Sequence, residues 1–163
     1  MTDAFKIHDI TDQPKMYCGP TVLALLTGKP REKIHRDINK LKRARGFKSY
    51  KTMKNGGYKS IPWKLTNVVK GMTCFHFERM FDIYKIRHTL KKESYPSLAR
   101  MIEDMGHFKM PVVILVTGHF ILYFNGLVYD TKCKQGAPIK DHPSARQRVK
   151  QYWIINKQPK ASS

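Results

Sequence analysis

Apolar positions along the chain change their rhythm about two-thirds of the way through. In residues 14–28, PKMYCGPTVLALLTG, the run from Val22 to Leu26 is apolar on nearly every side, which predicts a short buried helix. Pro20 suits its first turn and Gly28 its C-terminal stop. In residues 31–45, Ile34, Ile38 and Leu41 form a narrow apolar stripe at helical spacing on an otherwise basic segment. Residues 46–60 read as loop, with Asn55-Gly56-Gly57 as the turn signal. Ser60 then predicts an N-cap, with Pro62 in the first turn and Ile61, Leu65, Val68, Val69 and Met72 on the inner face. Phe75 and Phe77 alternate with Cys74 and His76, which predicts a short strand. Ser94 caps a further predicted helix, with Pro96 early, Leu98, Met101, Ile102 and Met105 inside and Gly106 at its end.

From Pro111 onward the pattern becomes β-rich: residues 112–117, 119–124, 127–131 and 151–155 each read as a strand. Asn125-Gly126 between two apolar runs is a strong two-residue hairpin signal. Helices first and strands later predict an α+β fold, N-terminal helices packed on a C-terminal antiparallel sheet. The 163 residues fit a single domain. It is expected to span 1–157, with a basic helical and loop insert at about 29–64 and a flexible tail at 158–163.

Composition removes several classes. The longest apolar run, Pro111 to Val116, is too short to cross a bilayer, so no membrane span is expected. The N-terminal stretch MTDAFKIHDITD has no apolar core of a signal peptide, which predicts a cytoplasmic protein. Cys18, Cys74 and Cys133 are odd in number and lack CxxC spacing, so free thiols are expected rather than disulfides or a zinc finger. Cys74 and His76 have no second pair beside them, and neither a metal nor another cofactor is expected. His35 is expected to face solvent, and Cys133 to be a loop residue.

Charge changes the picture more. With 31 Lys and Arg against 12 Asp and Glu, the net charge is +19. Self-repulsion of that size calls for an anionic partner. Between Lys29 and Lys64 stand thirteen Lys or Arg and only two acids, Glu32 and Asp37, interleaved with Phe47, Tyr50, Tyr58 and Trp63. Basic groups with aromatic platforms suit DNA or RNA. The candidate contacts are Lys40, Lys42, Arg43, Arg45, Lys48, Tyr50, Lys51, Lys54 and Lys59. The alternative is a solvated helix face followed by a loop. A second basic group lies at Lys132, Lys134, Lys140, Arg146, Arg148 and Lys150.

Candidate chemistry starts at Cys18. At a helix N-terminus a thiol is pushed toward thiolate by the dipole and the free N–H groups, although a cysteine beside an apolar helix also serves as a small core residue. His119 and Asp130 flank the predicted hairpin. If Asn125-Gly126 is a two-residue turn, Ile121 faces Asp130, and His119 and Asp130 share a sheet face diagonally, within reach of long side chains. A carboxylate on an imidazole fixes the tautomer that a general base needs. A nucleophile at a helix start and a His/Asp pair on a later hairpin form a Cys–His–Asp set.

The strings YCGPTVLALLTGKP and GHFILYFNGLVYD, in that order, resemble the papain-like cysteine peptidases. The likeness is to peptidases related to the double-glycine leader peptidases, small phage-encoded members included. The resemblance covers roughly residues 13–28 and 111–131. It implies a papain-like domain and a peptide or protein substrate cleaved through an acyl-enzyme. Cys18 would be the nucleophile, His119 the base and then acid, and Asp130 the orienter. It also implies a Gln before the cysteine as oxyanion donor. Gln13 is the candidate, five residues upstream where six is usual, with the Cys18 N–H as second donor. Transfer to an amine, as in transglutaminases, and a degenerate scaffold that only binds nucleic acid are the alternatives. A phage-encoded factor acting on a host protein is a further expectation.

Overall fold

Residues 4–44, 48–52, 54–55, 58–62, 72–106 and 108–159 are described in a computed structural model of the chain. The first helix, α1 (Cys18–Thr27), buries Val22, Leu23, Ala24, Leu25 and Leu26 completely. Each of the valine and leucine side chains among them is worth roughly 1.5–3 kcal/mol relative to exposure. Gly28 ends it in the left-handed region at φ 68°, and its N–H donates to the Ala24 carbonyl at 2.8 Å. The second helix, α2 (Arg31–Ala44), buries Ile34, Ile38 and Leu41 in the same core as α1. The first half of the expected insert is thus part of the hydrophobic core.

A hairpin follows, β1 (Lys48–Thr52) and β2 (Tyr58–Pro62), paired antiparallel with Tyr50 opposite Ser60 and Lys51 opposite Lys59. The helix expected from Ser60 is therefore a strand at its start. Its expected inner positions Leu65, Val68 and Val69 lie outside the described residues. The strand expected at Phe75 and Phe77 is instead the first turn of α3 (Cys74–Ile83). Thr73 caps it, accepting the His76 N–H while His76 Nδ1 accepts the Thr73 N–H at 3.0 Å. Phe77, Met80, Phe81 and Tyr84 then bury at helical spacing, and Phe75 is left exposed.

The remaining elements are β3 (Arg87–Lys91), α4 (Leu98–Asp104), β4 (Val112–Val116), β5 (His119–Phe124), β6 (Leu127–Tyr129), β7 (Ala137–Pro138) and β8 (Val149–Lys157). Ser97 caps α4, three residues beyond the expected Ser94, because its hydroxyl accepts the Arg100 N–H at 3.1 Å. Leu98, Met101, Ile102 and Met105 are buried as expected. The sheet is six-stranded and antiparallel, in the order β3-β8-β4-β5-β6-β7, so the fold is α+β.

Period-2 alternation sends alternate side chains of this sheet to two cores. Val113, Phe120, Leu122, Trp153 and Ile155 meet α1, α2 and α3. Val112, Ile114, Ile121, Tyr123, Tyr152 and Ile154 meet α4. Phe120, next to His119, is fixed between Phe77 (ring centroids 4.2 Å apart) and Trp153 (6.1 Å). Gln158, expected in a flexible tail, is tied down: its amide donates to the Lys6 and Leu26 carbonyls at 2.6 and 3.1 Å and accepts from the Lys6 N–H at 2.7 Å. Among the described residues no helix is long and apolar enough to cross a membrane.

Candidate active site

Cys18 is the first residue of α1, where a backbone N–H has no intrahelical acceptor. The helix packs against β5, and His119 opens that strand. These two elements bring the thiol and the imidazole side by side, close enough for each to shift the other's ionisation. Asn125 and Gly126 (φ 49° and 82°) make the turn that pairs Phe124 with Leu127, Tyr123 with Val128 and Leu122 with Tyr129. Continuing that register puts Asp130 opposite Ile121 and diagonal to His119. Asp130 Oδ2 indeed lies 3.1 Å from His119 Nε2. With Nε2 engaged by the carboxylate, Nδ1 remains to exchange a proton with sulfur.

The electrostatics follow from these contacts. Burial alone would push the Cys18 thiol up; the hydrogen bond to His119, the Phe120 N–H and the charge on His119 outweigh it, so the thiol ionises below its ordinary value. The Asp130 hydrogen bond, followed by that of Cys18, raises His119 to about 9 against the opposing effect of burial. Burial also opposes the charge on Asp130. Bonds from His119 and from the N–H groups of Cys133 and Lys132 nevertheless hold its carboxyl well below the usual range. Those two N–H groups reach Asp130 Oδ1 at 2.8 and 2.9 Å. The arrangement stabilises a thiolate opposite an imidazolium.

A cavity of about 410 Å³ opens onto Cys18, lined by Tyr17, Cys18, Gly19, Pro20, Met72, Thr73, Cys74, Leu115, Gly118 and Phe120. Its walls are mostly apolar, and Tyr17 stands half exposed among them. Burial raises the Cys74 thiol, the opposite of Cys18, although the two line the same cavity. No family model, curated protein or solved structure matches this chain.

Gln13 is not turned toward the thiol. Its Oε1 accepts the Arg31 N–H at 3.0 Å and its Nε2 reaches the Lys29 carbonyl at 3.5 Å, so the amide closes the α1–α2 connection. Of the expected oxyanion donors, only the Cys18 N–H stands at the thiol.

The basic candidates separate. Lys40, Arg43 and Lys54 are exposed. Lys42 is a correction: it is 2% exposed, because it follows Leu41 on the buried face of α2, and cannot meet a phosphate. His35, expected at the surface, is buried on the same helix. Lys48, Tyr50, Lys51 and Lys59 have backbone positions in the β1–β2 hairpin, and Arg45 lies outside the described residues.

Sequence reasoning missed His142. It is buried, and its Nε2 lies 3.1 Å from the same Asp130 oxygen that His119 engages. It follows a single 3₁₀ turn (Ile139–Asp141), twelve residues and an irregular loop after Asp130, so no periodicity could have linked the two. Asp130, Cys133 and His142 also place potential ligand atoms within 4.8 Å of one another. The tautomer of His142 argues against a metal there. Its Nδ1 accepts the Ser144 N–H at 3.1 Å, so the ring proton of a neutral imidazole sits on Nε2, the atom a metal would need.

Proposed function

We propose that the chain is a cysteine peptidase of papain-like architecture, cleaving a peptide or protein through an acyl-enzyme. The observation that carries this reading is the Cys18 thiol beside an imidazole whose Nε2 is held by a carboxylate, at the edge of an open apolar cavity. The Cys18 thiolate attacks the substrate carbonyl, and the oxyanion forms beside the Cys18 N–H. His119, as imidazolium, gives its proton to the departing amine, leaving an acyl-thioester and a neutral imidazole. That imidazole takes a proton from water, hydroxide adds to the thioester, and the acid product leaves as the thiolate–imidazolium pair re-forms. Asp130 keeps the imidazole oriented throughout.

Site-resolved alkylation tests the reading. At pH 7 iodoacetamide should modify Cys18 well ahead of Cys74 and Cys133, and His119→Ala should abolish that preference. Equal, slow modification of all three thiols refutes it. A peptide library incubated with wild type and Cys18→Ala then reads cleavage. Capture of the acyl group by an added primary amine in preference to water would make the enzyme a transferase.

A second reading rests on a separate observation: Arg36, Lys40 and Arg43 are exposed at helical spacing on α2, opposite Ile34, Ile38 and Leu41. This stripe suits nucleic-acid phosphates. Binding to DNA or RNA should weaken steeply with salt, each lost contact lowering the slope of log K against log salt by about 0.9 for duplex DNA. Charge reversal at Lys40 and Arg43 that leaves the slope unchanged rejects the stripe as the contact.

A further inference from the structure

The geometry points to His142 as a positioning residue that locks the Asp130 carboxylate in place for His119. This inference rests on the peptidase reading for its catalytic meaning, though not for its structural test. Asp130 is held from two sides. Its Oδ1 takes the backbone N–H groups of Lys132 and Cys133, which fixes the carboxylate plane relative to the loop. Its Oδ2 lies 3.1 Å from Nε2 of both His119 and His142.

The two imidazoles differ in freedom. The His119 side chain is partly exposed and must gain and lose a proton during turnover, whereas the His142 side chain is fully buried. The Ser144 N–H points at His142 Nδ1, so the Nδ1–H tautomer would set two donors against each other. The Nε2–H tautomer is left, with its proton on the Asp130 side. That approach is bent rather than linear, since the 3.1 Å contact misses hydrogen-bond alignment. A bent N–H toward a carboxylate still opposes rotation of Oδ2 away from His119, and it excludes water from that side. The titratable groups around Asp130 are then His119 from β5, His142 after the 3₁₀ turn and Cys133 from the connecting loop.

The first measurement needs no variant. Long-range ¹⁵N–¹H spectra of the full-length chain should show His142 as the Nε2–H tautomer. An Nδ1–H tautomer overturns the assignment, as does one equivalent of Zn²⁺ shifting the His142 ring nitrogens. The second measurement follows Cys18 alkylation against pH in wild type, His142→Ala and His142→Gln. His142→Ala should move the acid limb up by about half to one pH unit, so that at a fixed pH on that limb alkylation slows about three- to tenfold. His142→Gln, whose amide can donate toward Asp130, should bring the rate back to within about twofold of wild type. An unmoved limb in a His142→Ala chain with native near-UV circular dichroism overturns the inference, and so does failure of Gln to rescue. In a Cys18→Ser background, titration of His119 by NMR reads the same effect without any thiol chemistry. A lower His119 pKa on removing His142 supports the positioning role even if no peptide is ever cleaved, so the two readings fail separately.

Discussion

His119 at the start of β5 and His76 in the first turn of α3 are both withdrawn from water, one partly and one almost wholly. They are pushed in opposite directions: His119 up to about 9, His76 down to about 4. Burial disfavours imidazolium at both. At His119 a carboxylate on Nε2 and a thiol beside the ring more than reverse it. At His76 no such reversal occurs: desolvation comes first and the positive charge of Lys42 adds to it. His76 Nδ1 is committed to the Thr73 N–H as a helix cap. Burial with a cation nearby thus yields a neutral structural histidine, whereas burial beside a paired carboxylate yields one able to hold a proton opposite a thiolate.

The sharpest way to break this contrast is to remove each ring in turn. His119→Ala should lower peptide hydrolysis by about 10²–10⁴-fold, the usual worth of a general acid–base. His76→Gln, which keeps a capping-box side chain, should leave the rate within about twofold. If the His76 variant lost as much as the His119 variant, the assignment of chemistry to one site and structure to the other would fall.

Asp130→Asn tests the carboxylate itself. The amide keeps an acceptor near His119 but removes the charge, so His119 should fall toward its ordinary 6.5 and the Cys18 thiol should rise. Alkylation of Cys18 at pH 6 should slow by roughly tenfold, one unit of pKa. An unchanged alkylation rate would place the source of thiolate stability in the helix terminus and the Phe120 N–H instead.

How far these sites could be read from residues alone depended on how local their signals were. The dense apolar run at Val22–Leu26 with Gly28 after it, and the Asn125-Gly126 turn, dictate their structures within a few residues. The register from that turn carried the His119–Asp130 pair. The α3 start misled because four residues of alternation fit a strand. Only the longer spacing Phe77, Met80, Phe81, Tyr84 and the cap at Thr73 favour a helix. Lys42 and His35 were legible in principle: they stand four residues after and three before Ile38, on the buried face, but their polarity argued for solvent. The direction of the Gln13 amide and the approach of His142 depend on tertiary packing, which no spacing reports.

Stability against pH gives a gentler test. The lowered pKa of His76 means that, below 6.5, the unfolded chain takes up a proton that the native state resists until about pH 4. Stability therefore falls as pH drops through that window, by on the order of 1–3 kcal/mol at its lower end. His76→Gln should flatten this slope in urea denaturation between pH 6.5 and 4. The opposite sign holds at His119. Its raised pKa contributes stability that is complete below 6.5 and is lost as pH rises through about 9. His119→Gln should therefore flatten the alkaline side and leave the His76 window as it was.

The smallest expected effect separates the two causes acting on His76. Lys42→Met keeps an unbranched, buried side chain and removes the charge. Because desolvation is the larger cause and Lys42 the smaller, His76 should rise by only a fraction of a pH unit in an NMR titration. Lys42 itself is pushed down by burial, so its own charge is held at a cost. A rise of His76 by more than one unit would mean that a neighbouring charge, rather than removal from water, sets the low value. The contrast with His119 would then be between a carboxylate and an ammonium as neighbours, and burial would drop out of the explanation.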